Sequence, residues 1–467
     1  MNHPHQPPPP PNRLHRLFRF FVFALGELFY PRIEMVGRER LPADGPTIFV
    51  MNHPNGLIDP LILMITLQRP VSFLAKSTLF AFPGSGGLFE SFGALPVYRR
   101  KDEGQPGGSH GDIVERNEAT FARCRALLRQ GQAVALFPEG TTHSGSELLP
   151  LRTGSARIAL SAEAEAGWSL GLQVVPVALW YQNKTRFRSG VLQVVGEPFS
   201  LHDYAADYAA NEHKTVRLVT KHIQAKLDQV VLQAENAELL AAIPVVAVWV
   251  APAGEALDLS QQHAWSARLL AAYEHLQQSD PDRLAAIARR ARRYAGLLRT
   301  LGISNPWMLE LPPVNPWYLA RLTLLLVVSA PLALAGFILT YLPYRLAGLI
   351  ANAILHRYQT QISTGKLIAG SILVLLGWIV AAVFAGRWLG GGWGVLLFLA
   401  APILAYIALR WSEGWRQLYE IGAGNWLRLQ RGHLVELLIA RRRALAKEVL
   451  DAVEMGSESA NSHIQTV

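Results

Sequence analysis

Cysteine and acid are what this sequence has least of, and each scarcity excludes something. Cys124 is the single cysteine in 467 residues, so no intramolecular disulfide can form, and the composition points to a reducing compartment. Charged residues make up 17% of the chain, well below the roughly one quarter usual in soluble domains. A 50% hydrophobic share excludes a disordered chain. The charge deficit is local: residues 322–409 carry only Arg345, Arg357, Lys366 and Arg387, with no Asp or Glu, whereas about one residue in five is charged elsewhere. The composition therefore describes a portion of ordinary globular character joined to a membrane block. Solute and proton pathways keep ionisable groups inside the bilayer, so the acid-free block reads as an anchor and argues against a transporter. The histidines show neither H-E-x-x-H nor cysteine-linked spacing, so no metal is expected. No zinc-finger or RNA-binding signature accompanies the net charge of +9. The excess of base is read as a grip on the anionic headgroups of a lipid bilayer, with no nucleic-acid partner.

Five regions follow along the chain. Residues 1–30 open with five consecutive prolines, Pro7 to Pro11, expected to form a flexible extended tail. From Arg13 a basic, aromatic-rich run begins. Its apolar stretch, Phe20 to Gly26, is short, precedes Glu27 and lacks a small-residue cleavage site. A helix lying in the membrane interface is therefore expected rather than a signal peptide, with a core-covering helix as the alternative. Residues 31–200 alternate helices with short apolar strands, expected at 47–51, 95–98, 133–137, 172–179 and 191–195; one helix spans 112–130, ahead of Gly131. This alternation predicts an α/β fold with a parallel or mixed sheet flanked by helices, whose ligands sit at the strand ends. Residues 201–315 read as a helical extension, with helices at 213–240 and 266–301 and four arginines (Arg289, Arg290, Arg292, Arg293) that form either a solvated face or a lipid-facing patch.

Residues 316–411 hold three charge-free stretches, 322–344, 367–386 and 388–409, each long enough to suspect a spanning helix. The second and third are read as a tight hairpin with Arg387 at its outer turn and the basic flanks cytoplasmic. The first, broken by Pro331 and ended by Pro343, is expected to be re-entrant or interfacial, which leaves the count at two or three. Residues 412–467 are a basic helical tail, flexible after Met455. An integral membrane protein with its α/β domain on the cytoplasmic face is the expectation.

Three segments of the α/β portion carry chemistry. In Asn52-His53-Pro54-Asn55-Gly56-Leu57-Ile58-Asp59-Pro60, a histidine leaves a strand end and an aspartate follows a glycine-containing loop. These are the ingredients of a general base and its orienter, since neutral imidazole takes a proton near pH 7 while a carboxylate fixes its tautomer. Asp59 before Pro60 is equally what a helix N-cap with proline at N1 looks like, and spacing alone leaves both open. Gly93 to Lys101 delivers Arg99, Arg100 and Lys101 from a strand end, suited to an anionic group. In Phe137 to Ser144, Gly140, Thr141 and Thr142 offer amides and hydroxyls to a phosphate or polyol, with Arg152 and Arg157 following, while Glu139 fits only if it bonds a hydroxyl or a neighbouring arginine.

The order and text of these segments resemble the glycerolipid acyltransferase superfamily, which includes lysophosphatidate and glycerol-3-phosphate acyltransferases. Its blocks NHxxxxD, GxxxxxR, FPEGTRS and a late VPV-type strand correspond to Asn52-His53 with Asp59, Gly93 with Arg99, Phe137 to Ser144, and Val175-Pro176-Val177. Two departures stand out: five residues rather than four separate His53 from Asp59, and Thr142 stands where arginine is common. With the hydrophobic C-terminal region, they look like a divergent branch similar to yeast-type glycerol-3-phosphate and dihydroxyacetone-phosphate acyltransferases. The resemblance implies His53 as base and Asp59 as orienter, and substrate binding by Asn52, Gly93, Arg99, Glu139, Gly140, Thr141, Arg152 and Arg157. It also implies an acyl pocket at Val175 and Pro176, a glycerol-phosphate acceptor, and acyl-CoA or acyl-carrier protein as donor with no other cofactor. A lysolipid acceptor and a noncatalytic adaptor remain the alternatives.

Overall fold

The computed structural model describes residues 13–67, 69–81, 85–99, 110–251, 257–303, 305–310, 315–356 and 359–464. The proline tail, Arg100 and Lys101 lie outside them. The chain divides into two compact units, one running up to Gln233 and taking in Gln359–Thr364, the other made of Ala234–Tyr358 and Gly365–Val467.

The first unit is built on a mixed eight-stranded sheet of β1 (Arg32–Val36), β2 (Thr47–Met51), β3 (Val71–Lys76), β4 (Ala94–Val97), β5 (Ala133–Leu136), β6 (Gln173–Tyr181), β7 (Gly190–Val195) and β8 (Phe199–Ser200). Their order is β1-β7-β6-β2-β5-β3-β4, with β8 beside β6. β2 runs parallel to β5, Thr47 opposite Ala133, and parallel to β6, Phe49 opposite Val175. β3 and β4 continue the parallel part, and β7 reverses against β6. All five residues of β2 are buried, as a strand covered on both faces requires. The residues after β2, β4, β5 and β6 therefore emerge at one edge of the sheet, the usual place for a ligand site in such folds.

Among the described residues, seven helices belong with this sheet: α1 (Arg13–Phe29), α2 (Ile58–Thr66), α3 (Ser85–Ser91), α4 (His110–Arg129), α5 (Gly154–Glu165), α6 (Ala205–Ala210) and α7 (Glu212–Asp228). Ile48 and Val50 of β2, Leu128 of α4, Ile158 and Leu160 of α5 and Val219, Ile223 and Leu227 of α7 share one core. Each such side chain contributes roughly 1.5–3 kcal/mol on burial. α7 is thus part of the sheet's own core, and the unit reaches well past residue 200. α1 packs on α2 at Gly26, where an added Cβ would lie 2.8 Å from Ile65 Cδ1.

The second unit holds α8 (Ala237–Val250), α9 (Leu259–Ser279), α10 (Pro281–Thr300), α11 (Pro316–Leu355), α12 (Ile362–Leu389, its first turn in the first unit) and α13 (Gly391–Ile464). Both long helices expected in the extension are divided. Asn236 caps a new helix by accepting from the Leu239 amide, and Asp280 caps α10 through the Arg283 amide with Pro281 in its first turn. Pro331 and Pro343 do not break the first apolar stretch, which runs on as one 40-residue helix. A proline removes one ladder bond and bends a helix, and close packing holds this one. Gly377 lies so near the Pro343 ring that a Cβ would come within 2.8 Å, and at Gly336 a Cβ would collide with the Leu404 carbonyl of α13. Trp411 Nε1 donates to the Leu326 carbonyl at 2.9 Å. The turn between α12 and α13 falls at Gly390, just after Arg387. α13 bends at Arg431 and runs on as helix to Ile464. Among the described residues three helices, α11, α12 and the Gly391–Met455 part of α13, are long and apolar enough to cross a membrane.

Beyond the apolar stretches, α13 is fastened by Arg442, which pairs with Glu310 at 2.5 Å, donates to the Trp249 carbonyl at 2.7 Å and lies 3.5 Å above the Trp307 ring. On α9, burial pushes the His263 imidazole down to about 4, against about 6.5 in an unfolded chain. Between those values the unfolded state binds the proton and the folded state does not. Stability is therefore full above about pH 6.5 and falls as the pH drops towards 4, by up to roughly 3 kcal/mol. The thermal midpoint followed by tryptophan fluorescence should fall through this window and fall less in His263→Gln; an identical slope in the variant would contradict the assignment.

Candidate active site

Asn52 and His53 leave β2 at the parallel edge. The Asn52 carboxamide extends the β2–β6 ladder, donating to the Leu179 carbonyl at 3.1 Å and accepting from its amide at 2.7 Å. It fixes the direction in which the next residue leaves the strand. The His53 ring stacks on Phe137, which follows β5, with centroids 4.1 Å apart. Its Nδ1 lies 2.8 Å from Asp59 Oδ2, in the first turn of α2. The five intervening residues thus close without separating the pair, and Gly56 at φ +51° takes the left-handed conformation that the longer loop needs.

Asp59 is fully buried. Its Oδ2 also accepts the Asn55 amide at 2.7 Å, and Oδ1 accepts the Tyr181 hydroxyl at 2.6 Å. A carboxylate only accepts, so the neutral His53 ring carries its proton on Nδ1 and its lone pair on Nε2. Burial, with Asp59 beside it, pushes the Tyr181 hydroxyl well above its ordinary range and keeps it a donor. The site therefore offers a proton acceptor whose tautomer and ring plane are fixed before any substrate arrives.

Residues 32–180 match the Acyltransferase family model. The chain carries an acyltransferase domain. An uncharacterised acyltransferase of Schizosaccharomyces pombe is 25% identical over 365 residues, covering 61% of this chain and 54% of that one. A chloroplastic 1-acyl-sn-glycerol-3-phosphate acyltransferase of Brassica napus is 28% identical over 173 residues, covering 36% and 44%. Glycerol-3-phosphate O-acyltransferase 2 of Saccharomyces cerevisiae is 28% identical over 196 residues, covering 42% and 26%. The chain spans about half the length of these relatives or less.

Within the acyltransferase domain, Glu139 is buried and holds the histidine's backbone. Its Oε1 accepts the His53 amide at 3.0 Å, while Oε2 accepts the Leu149 amide at 3.0 Å and the His143 Nε2. Because His143 Nδ1 accepts from the Gly145 amide, its proton sits on Nε2, facing Glu139. Glu139 thus ties the loops after β2 and β5 together, a role its sequence neighbours did not disclose. Arg99 reaches the same loop, with Nη1 3.1 Å from the Gly140 carbonyl. It is aimed by Asn117 of α4, which exchanges two 2.9 Å hydrogen bonds with the Tyr98 backbone. Arg152 packs its stem against Gly140, 3.2 Å from where a Cβ would stand.

The remaining candidates serve the framework. Gly93, at φ +81°, brings the turn before β4 so close to β3 that a Cβ would lie 3.0 Å from the Val71 carbonyl. Arg157 turns to α4, paired with Glu118 at 3.7 Å and stacked over Phe121. Val175 and Pro176 are buried inside β6, opposite Phe49 and Val50 of β2, as packing residues of the sheet. Thr141 is half-buried on the Glu139 loop. Sequence reasoning passed over Tyr181, Asn55 and Tyr30. The one available signal was polarity at the end of an otherwise apolar run, as in Val174 to Tyr181.

Proposed function

We propose that this chain is a membrane-bound O-acyltransferase that moves a fatty acyl group from acyl-CoA or acyl-carrier protein to a hydroxyl of glycerol-3-phosphate or dihydroxyacetone phosphate. One observation carries this: the buried Asp59 holds His53 by Nδ1 beside the Glu139–Gly140 loop on which Arg99 rests. His53 Nε2 takes the proton of the acceptor hydroxyl as its oxygen attacks the thioester carbonyl. The ester bond forms, the carbon–sulfur bond breaks, and the imidazolium returns its proton to the departing thiolate. Arg99, with Arg152 nearby, holds the acceptor's phosphate, for which a guanidinium's paired donors are suited. Transfer is direct. The only thiol, Cys124, sits in the core, where burial pushes it up to about 12, so it is not available as an acyl carrier.

The three apolar helices support integration into the bilayer with the acyltransferase domain at the cytoplasmic face, where an acyl product passes straight into lipid. A lysophosphatidate acceptor is the second reading, favoured by the similarity to the Brassica enzyme. The deciding experiment offers the purified protein labelled glycerol-3-phosphate, dihydroxyacetone phosphate or lysophosphatidate with one acyl-CoA and identifies the labelled lipid. Product from either of the first two is expected; product from lysophosphatidate alone would replace the first reading with the second.

A further inference from the structure

The segment Gln359–Thr364 precedes or opens α12, far along the chain from every acyltransferase motif, yet it belongs to the first unit. It rests on three loops of the candidate site. Thr360 Oγ1 lies 3.1 Å from Thr142 Oγ1, on the loop after β5. The Thr360 carbonyl and Thr364 Oγ1 stand 3.1 and 3.3 Å from where a Cβ on Gly56 would be, on the loop between His53 and Asp59. Ser363, fully buried, donates its hydroxyl to the Lys184 carbonyl at 2.5 Å, on the loop after β6.

That carbonyl is a junction. It accepts the Tyr30 hydroxyl at 2.6 Å, and Tyr30 in turn accepts the Asn55 carboxamide at 2.9 Å. Asn55 is fully buried, and its backbone amide is one of the three donors on Asp59. A continuous run of hydrogen bonds therefore leads from Ser363 through Lys184, Tyr30 and Asn55 to the carboxylate that orients His53. A buried polar group is costly to leave without its partner, so each of these bonds holds the next group in place. If Ser363 is removed, the Lys184 carbonyl and Tyr30 are free to shift, and Asn55 shifts with them.

We propose that Ser363 is a positioning residue of the acyltransferase site, and that Gln359–Thr364 is a strap through which the segment opening α12 completes the His53–Asp59 loop. This rests on the general-base role assigned to His53. Glycine at position 56 is part of the device, because any side chain there would meet the strap.

The test uses the full-length chain and compares Ser363→Ala and Ser363→Thr with the parent, measuring kcat, KM for acceptor and for donor, and thermal midpoint. Ser363→Ala should lower kcat about tenfold to a hundredfold, the scale of a small misplacement of catalytic groups, with both KM values within about twofold and the midpoint unchanged. Ser363→Thr, which keeps the hydroxyl, should recover most of the loss. Turnover of Ser363→Ala at the parent's level, an equal loss in both variants, or a loss matched by a fallen midpoint would overturn the proposal. Thr360→Val, which removes the second contact, gives an independent readout: kcat unchanged there as well as in Ser363→Ala refutes the strap. His53→Ala is run alongside. An active His53→Ala refutes the functional reading itself, whereas an inactive one beside a fully active Ser363→Ala refutes the strap alone.

Discussion

His53→Ala is expected to leave a folded protein whose acyl transfer falls by roughly 10³–10⁴, the scale of losing a general base while binding and electrostatic stabilisation remain. Folding should survive because the ring is not what satisfies its surroundings. Without it, Asp59 keeps the Asn55 amide and the Tyr181 hydroxyl, and residue 53 keeps its backbone bond to Glu139. What disappears is the stack on Phe137 and the nitrogen that takes the proton. The check is kcat with a labelled acceptor, alongside the circular dichroism spectrum and thermal midpoint. Turnover within a few-fold of the parent, in a protein of unchanged midpoint, would sink the base assignment.

Much of the site lay open in the sequence because its residues sit just past apolar strands. β2, β5 and β6 are buried on both faces, so they read as uninterrupted apolar runs, and the residue types that follow them are conspicuous. β1 and β3 were passed over for the opposite reason. The exposed Arg32, Glu34 of β1, and Ser72 and Lys76 of β3, interrupt the apolar text of strands nearer the sheet's margins. The helical extension misled differently. Its Ala/Leu/Arg composition carries helical spacing straight across Asp280-Pro281, and only cap chemistry marks where one helix stops and the next begins.

The supports of the site were hidden because each bond joins residues far apart in the chain. Tyr181 meets Asp59 across 122 positions, Glu139 meets His53 across 86, and Ser363 meets Lys184 across 179. No local period or spacing carries such pairs. Glu139 was the sharpest case. A carboxylate beside a phosphate loop is puzzling when read as a ligand group, and becomes clear once it is seen to accept three donors from the loops around it. Asn52 and Gly93 were likewise conspicuous residues whose contacts are with the protein's own backbone.

Asp59→Asn should be nearly as damaging as losing the base, and the geometry says how. Three donors converge on two carboxylate oxygens: the Asn55 amide and His53 Nδ1 on one, the Tyr181 hydroxyl on the other. An asparagine offers one oxygen and one NH₂. If the NH₂ took the shared position, it would face the Asn55 amide and force His53 Nδ1 to accept, moving the imidazole proton to Nε2, the nitrogen needed as base. If it took the other position, only Tyr181 need rotate from donor to acceptor. The second arrangement leaves no buried donor clash, so the variant should fold and His53 should keep its tautomer. It would still lack the negative charge that stabilises the imidazolium formed during transfer. We expect kcat to fall by about 10²–10⁴ with acceptor KM little changed, because Asp59 is sealed from substrate. Adding Tyr181→Phe to Asp59→Asn removes the partner that makes the second arrangement favourable, and should lower the rate further. Kinetics on purified single and double variants decide the matter. An Asp59→Asn enzyme with near-parental kcat would mean that His53 does not rely on this carboxylate.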